Sequence, residues 1–75
     1  MEKLFHIRLK EQRLQNKLSQ RAIADKLNIS HVSYLRWEQG KTEPCIRDIL
    51  ILCDLFCISA DYLLGRENED GTIGN

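Results

Sequence analysis

No apolar run in the 75 residues approaches the ~20 needed to cross a bilayer, so no membrane-spanning helix and no membrane partner are expected. Proline occurs once, at Pro44, and there is no alternating strand pattern, internal repeat or low-complexity segment. Histidine occurs only at His6 and His31, on different predicted helices. No Ser/His/Asp or Cys/His set, no paired carboxylates and no phosphate-cradling glycine loop are present, so an enzyme is not expected. His6 reads as a surface residue. The three cysteines, Cys45, Cys53 and Cys57, cannot all pair within one chain. Cys53 and Cys57 have no histidine at ligand spacing, and a zinc site takes ligands in paired clusters. No metal, cofactor or small-molecule ligand is expected. The thiols read as small buried hydrophobes in a reducing compartment. The opening MEKLFHIRLK lacks the apolar stretch and cleavage site of a signal peptide, so a cytoplasmic protein is expected.

Charge of one sign is also lacking: 11 basic residues face 11 acidic ones, with a sequence pI near 6.7. On its own that argues against nucleic acid. The acids are unevenly placed, however. Glu67, Glu69 and Asp70 fall in the last nine residues, so 1–66 carry 11 basic and 8 acidic residues, a formal +3. That mild excess permits DNA binding without requiring it. Residues 1–66 are expected to form the single domain and 67–75 a flexible acidic tail, frayed from Arg66 onward.

What is present is helical. Residues 4–15 contain neither glycine nor proline, with Phe5 and Leu9 one turn apart and Gln12 and Arg13 continuing their face. A stripe with a polar end predicts a buried partner for one of those two. Asn16 and Lys17 read as the connection. Ser19 offers an N-cap to QRAIADKL, whose apolar face is Ala22, Ile23 and Leu27, and Asn28 a left-handed stop. Ser30 caps a third helix after so short a link that the two must meet steeply. That helix ends at Gly40. Residues 45–56 form the most apolar helix, its buried stripe predicted as Ile46, Ile49, Leu50, Cys53 and Phe56. Ser59 starts a last turn that Gly65 ends. The fold class is all-α, with five short helices.

At ~100° per residue, the third helix splits into two faces. Tyr34, Trp37 and Glu38 fall together on an inner face. Val32, Arg36 and Gln39 lie opposite, flanked by His31 and Ser33. Hydrogen-bonding groups mixed with apolar pieces suit major-groove edges, where arginine donates twice to guanine and valine touches a thymine methyl. A plain solvated surface is the alternative.

Two capped helices joined by a tight turn in a helical domain are the helix-turn-helix order, here at about residues 20–39. At this point the sequence resembles the phage-repressor-like Xre/Cro helix-turn-helix regulators. LSQRAIADKLNIS is similar to that family's second helix and turn, SHVSYLRWEQGKTEP to its recognition helix and following loop, and ISADYLLG to its closing helix. The resemblance covers about residues 6–65 and implies a compact five-helix bundle of the lambda-repressor-like type. By position, it implies that His31, Val32, Ser33 and Arg36 face base edges. Gln20 matches a glutamine that contacts phosphate or an adjacent base. Ser30, Lys41 and Thr42 match positions beside the DNA backbone, and Gln39 belongs with this second set. Arg13 and Glu38 match an ion pair tying helix one to helix three, which accounts for the polar end of the first stripe.

Some positions depart from the family pattern. Tyr34 stands where an aliphatic residue is usual, which predicts a tilted helix three or a hydroxyl at the surface. Leu35 replaces a small polar residue and is expected as an exposed apolar group near the DNA side. Gln12 replaces a leucine, and Cys57 stands at a stop better suited to glycine or asparagine. On helix four, Ile51 and Leu55 fall away from the predicted stripe, either as scattered surface apolarity or as a dimer seam. The expected function is sequence-specific binding of double-stranded DNA by a homodimeric regulator, a repressor, on a palindromic operator. The competing reading is a protein-interaction or antitoxin-like module on the same fold, favoured by the near-zero charge, Leu35 and Ile51.

Overall fold

The computed structural model describes residues 4–68 and 71–72. These form five helices: α1 (Phe5–Gln15), α2 (Gln20–Leu27), α3 (His31–Glu38), α4 (Ile46–Phe56) and α5 (Ala60–Leu63). Serines start three of them. Extended-backbone Ser19, Ser30 and Ser59 accept at Oγ from the N–H of Ala22, Ser33 and Tyr62, satisfying donors that each first turn would leave unpaired. A left-handed residue follows each helix: Lys17 (φ 57°), Asn28 (φ 58°), Gly40 (φ 74°), Cys57 (φ 56°) and Gly65 (φ 87°). After Asn28 and Cys57 the next N–H reaches back to a carbonyl of the last turn, Ile29 to Ala24 at 3.0 Å and Ile58 to Cys53 at 3.1 Å. Cys57 carries a β-carbon in that conformation, a departure that the family comparison of the sequence anticipates.

Every helix contributes to one core. Leu9, Ile23, Leu27, Tyr34, Leu52 and Leu63 lie at its centre, wrapped by Ala24, Trp37, Ile49, Cys53 and Phe56. Tyr34 and Trp37 meet edge to face at 5.8 Å, the geometry favoured by the charge distribution of aromatic rings.

On α4 the predicted stripe is corrected. Ile46 and Leu50 are 79% and 56% exposed, whereas Leu52, absent from the prediction, is fully buried. The buried set is Asp48, Ile49, Leu52, Cys53 and Phe56. Ile51 and Leu55, expected on the outer side, are half-buried against the core. The helix is apolar almost all round, so periodicity admitted more than one rotation, and packing against its neighbours selects one. The thiol expectation holds only for Cys53. Cys45 and Cys57 are exposed at the two ends of α4, where Cys45 is the residue before the first turn and its Sγ donates to Asp48 Oδ2 at 3.2 Å.

The start of the expected tail makes hydrogen bonds to the rest of the chain. Arg8, 6% exposed, donates from Nη1 to the carbonyls of Tyr62 and Glu67, both at 2.6 Å, and its guanidinium lies 4.2 Å from the Tyr62 ring centroid. Ser59 Oγ donates to Glu67 Oε1 at 3.0 Å, and Asn68 N–H to the Thr72 carbonyl at 2.7 Å. A buried guanidinium must find acceptors, and the chain after α5 supplies one of them. Glu69, Asp70 and residues 73–75 of the expected tail lie outside the described residues. Among the described residues no helix is long and apolar enough to cross a membrane, and no group of three or more His, Cys, Asp or Glu is placed to hold a metal.

Candidate nucleic-acid interface

The link from α2 to α3 consists of Asn28, Ile29 and Ser30. Left-handed Asn28 reverses the chain, half-buried Ile29 pins the turn, and Ser30 starts α3 at once. This is a helix-turn-helix, and α3 is anchored on one side only. Tyr34 is fully buried and Trp37 6% exposed, while Val32 on the other side is 58% exposed. Ser33, Arg36 and Gln39 are exposed with it.

A polar cluster fixes α3 against its neighbours. Arg13 grips Glu38 with two donors, Nε to Oε2 at 2.6 Å and Nη2 to Oε1 at 3.2 Å. Its Nη1 donates to the Leu18 carbonyl at 3.0 Å, so one side chain joins α1, the α1–α2 connection and α3. The two side chains are only 10% and 4% exposed. The geometry is that of the ion pair the sequence resemblance implies. Tyr34 Oη donates to Glu38 Oε2 at 2.6 Å. The Tyr34 hydroxyl is therefore inside the fold, contrary to the surface placement offered as one reading of this substitution. An aromatic at this position reaches the carboxylate that an aliphatic residue would leave to others.

Burial pushes the Glu38 carboxyl upward, but hydrogen bonds from Arg13, Tyr34 and Gln20 outweigh it and hold the group below its ordinary 4.5. Burial, with the adjacent Glu38 charge, pushes Tyr34 well above the usual phenol range, so its hydroxyl stays a donor. The Glu38 bond raises Arg13 against the opposing effect of burial. A depressed carboxylate contributes stability that is fully present above the unfolded-state value and is lost as pH falls through the folded one. Urea midpoints measured from roughly pH 6 down to pH 3 should therefore fall in the acid range. They should fall less steeply in Glu38→Gln; an equal slope would mean that Glu38 contributes nothing to acid lability.

The Gln20 side chain has partners within the protein. Its Nε2 donates to Glu38 Oε1 at 3.1 Å and its Oε1 meets His31 Nε2 at 2.9 Å. The side-chain amide assigned to phosphate or base contact is thus engaged inside the protein, tying the start of α2 to the start of α3. His31 is half-buried by that bond rather than fully presented. Ser30, placed beside the backbone by resemblance, uses its hydroxyl twice within the turn: it accepts from Ser33 N–H at 3.1 Å and donates to Ser33 Oγ at 2.9 Å. Ser33 keeps its own hydroxyl proton free to donate outward.

Lys41 and Thr42 are exposed in the loop after α3. That loop turns at Gly40 (φ +74°), where an added Cβ would meet the His6 ring at 3.4 Å. His6 is accordingly half-buried against the turn and not a plain surface residue. Leu35, expected to be exposed, is half-buried. Sequence reading passed over Arg21, an exposed cation in the first turn of α2 directly after Gln20; its position there was the available signal. The long-range bonds of Gln20 left no such signal, because they join residues 11 and 18 positions apart.

A helix-turn-helix family model matches residues 9–63. The chain is 39% identical over 67 residues to YqaE, an uncharacterized HTH-type transcriptional regulator of Bacillus subtilis (strain 168), covering 88% of this chain and 58% of that one. It is 35% identical over 66 residues to the HTH-type transcriptional regulator DicA of Escherichia coli (strain K12), covering 87% of this chain and 49% of DicA. The chain thus spans about half the length of the curated relatives it matches. Among solved structures, a transcriptional regulator from Listeria innocua superposes with a TM-score of 0.83 at 26% identity, covering 92% of this chain and 64% of that one. The P22 c2 repressor, in complex with synthetic operator 9T, superposes with a TM-score of 0.76 at 32% identity, covering 84% of this chain and 96% of the repressor. These likenesses bear out the five-helix repressor-like fold, and relatives named as transcriptional regulators agree with the expectation of a non-enzyme.

Proposed function

Since the chain belongs to the helix-turn-helix family, we propose that it binds a specific double-stranded DNA sequence and regulates transcription, as a repressor, with α3 in the major groove. One observation carries this reading: α3 is clamped on its inner face by Tyr34, Trp37 and the Arg13–Glu38 pair, while Val32, Ser33 and Arg36 on its other face are exposed. A helix held rigidly with a mixed donor and apolar face outward is suited to read base edges. The likeness to an operator-bound repressor supports it. Arg36 donates to guanine, Val32 and Ser33 meet neighbouring edges, and Lys41, Thr42 and Gln39 set register on the backbone. Ser30 acts through the turn that it caps.

The protein acts as a homodimer in the cytoplasm, its two recognition helices about 34 Å apart on a palindromic site. The apolar pair that supports dimerisation is not Ile51 and Leu55, which face the core, but Ile46 and Leu50, exposed and four apart on α4. The protein-interaction reading draws on the same exposed pair and on the zero net charge; half-buried Leu35 supports it less than expected.

A titration of duplex DNA at several salt concentrations separates the two. Log affinity should fall linearly with log salt, because each neutralised phosphate releases counterions. Arg36→Ala should cost about 1–3 kcal/mol on the preferred site and relax choice at one base pair, whereas Lys41→Ala should weaken all sequences alike. Absence of binding at low salt and high micromolar protein rules the reading out.

A further inference from the structure

We propose that His31 reads DNA as a hydrogen-bond acceptor, through Nδ1, and that Gln20 and Glu38 are positioning residues that impose this polarity. The inference rests on the DNA-binding reading and assigns to one position the chemistry that it selects: an amino-bearing base, adenine or cytosine, rather than a keto-bearing one.

The polarity originates at Glu38. An ionised carboxylate only accepts hydrogen bonds, and Glu38 is held ionised by the two-point grip of Arg13. The Gln20 group 3.1 Å from Glu38 Oε1 must therefore be the amide nitrogen, since a flipped amide would set two oxygens face to face. That leaves Gln20 Oε1, which can only accept, 2.9 Å from His31 Nε2. The imidazole must then carry its proton on Nε2. In the neutral ring Nδ1 is consequently a bare lone pair. No protein donor meets Nδ1 among the described residues, and it is not a buried orphan either, so it reaches solvent.

His31 is the first residue of α3, the end of a recognition helix that enters the groove. In the major groove, adenine offers N6–H and cytosine N4–H as donors, while guanine O6 and thymine O4 are acceptors. An acceptor-only Nδ1 pairs with the first two and faces the others lone pair to lone pair. The guanidinium of Arg36, on the same helix, has the opposite polarity and only donates. One helix thereby carries one reader of each kind, and the acceptor owes its character to the buried Arg13–Glu38 pair, through Gln20.

The test has a part without DNA and a part with it. In the free protein at about pH 8, above the ordinary imidazole range, long-range ¹H–¹⁵N NMR should show the His31 proton on Nε2. That N–H should be protected from exchange in wild type and lose protection in Gln20→Met. A thermal melt of Gln20→Met checks that the fold is retained. Sites are then selected from random duplex DNA with wild type and with His31→Ala, which identifies the base pair that His31 reads. Adenine or cytosine should occupy the contacted strand there, and exchange for guanine or thymine should weaken wild-type binding about tenfold. Gln20→Met should reduce that discrimination while leaving the choice made by Arg36 intact. A proton on Nδ1, a keto base at that position, or an unchanged selection with His31→Ala overturns the inference while DNA binding stands. Loss of all salt-dependent binding by wild type overturns the parent reading and this one together, even with the proton on Nε2.

Discussion

Arg13→Ala is expected to destabilise the protein by about 3–5 kcal/mol, the cost of leaving a buried charge without its partner. Glu38 would keep one donor from Tyr34 and one from Gln20 but lose both bonds from the guanidinium. Its side chain is 4% exposed, so water cannot replace them without opening the α1–α3 contact. The Leu18 carbonyl loses its donor as well, which loosens the approach to α2. Small domains have only about 5–15 kcal/mol of stability in total, so a large fraction would be lost. In a domain of this size each kcal/mol shifts Tm by about 4–8 °C, which puts the expected fall well beyond 10 °C. Thermal melts and urea titrations of the variant check this. Coupling is shown by pairing Arg13→Met with Glu38→Leu. An apolar pair of similar size should recover part of the loss, because neither charge then remains buried alone, while the Tyr34 hydroxyl and the Leu18 carbonyl still lose a partner. A single variant that melts within a few degrees of wild type would mean that solvent reaches Glu38 easily. The pair would then not hold α3 in place.

The second large effect lies on α4, where two leucines two positions apart should behave oppositely. Leu52→Ala removes a side chain with no exposed surface and leaves a cavity among its neighbours, at an expected cost of about 2–5 kcal/mol. Leu50→Ala, at a position 56% exposed, should stay within about 0.5 kcal/mol of wild type. Urea midpoints of the two variants decide the matter without reference to DNA. Equal losses would mean that α4 is rotated so that both side chains share the burial. Should Leu50→Ala be silent in a dilute monomer yet weaken binding to a two-half-site operator, the exposed pair Ile46 and Leu50 is the dimer contact.

These leucines also show how far a one-dimensional pattern reaches. The helices themselves were legible because their signals are local. Ser19, Ser30 and Ser59 lie next to the turns they cap, and Asn28 next to the stop it makes. The inner and outer faces of α3 were legible too, since Tyr34 and Trp37 are the only bulky aromatics on a helix otherwise suited to solvent. Where a helix is apolar on several sides, as α4 is, the period gives the spacing of the stripe but not its rotation. The same limit hid the burial of Arg8, which reads locally as one more cation on an exposed helix. Its burial depends on carbonyls 54 and 59 positions away.

Five helices, their capped ends, the tight turn between α2 and α3, and a third helix with an arginine on its outer face could all be read from the sequence. Its motifs also carried the resemblance that paired Arg13 with Glu38. The tertiary structure alone decided which side of α4 is buried, that Arg8 reaches across to Tyr62 and Glu67, and that Tyr34 points its hydroxyl inward. It also made Gln20 a link between Glu38 and His31. The physical reason is the same in each case. Caps and turns are settled by atoms a few residues apart, whereas a buried polar side chain takes whatever partner the packed helices bring within about 3 Å, wherever that partner lies along the chain.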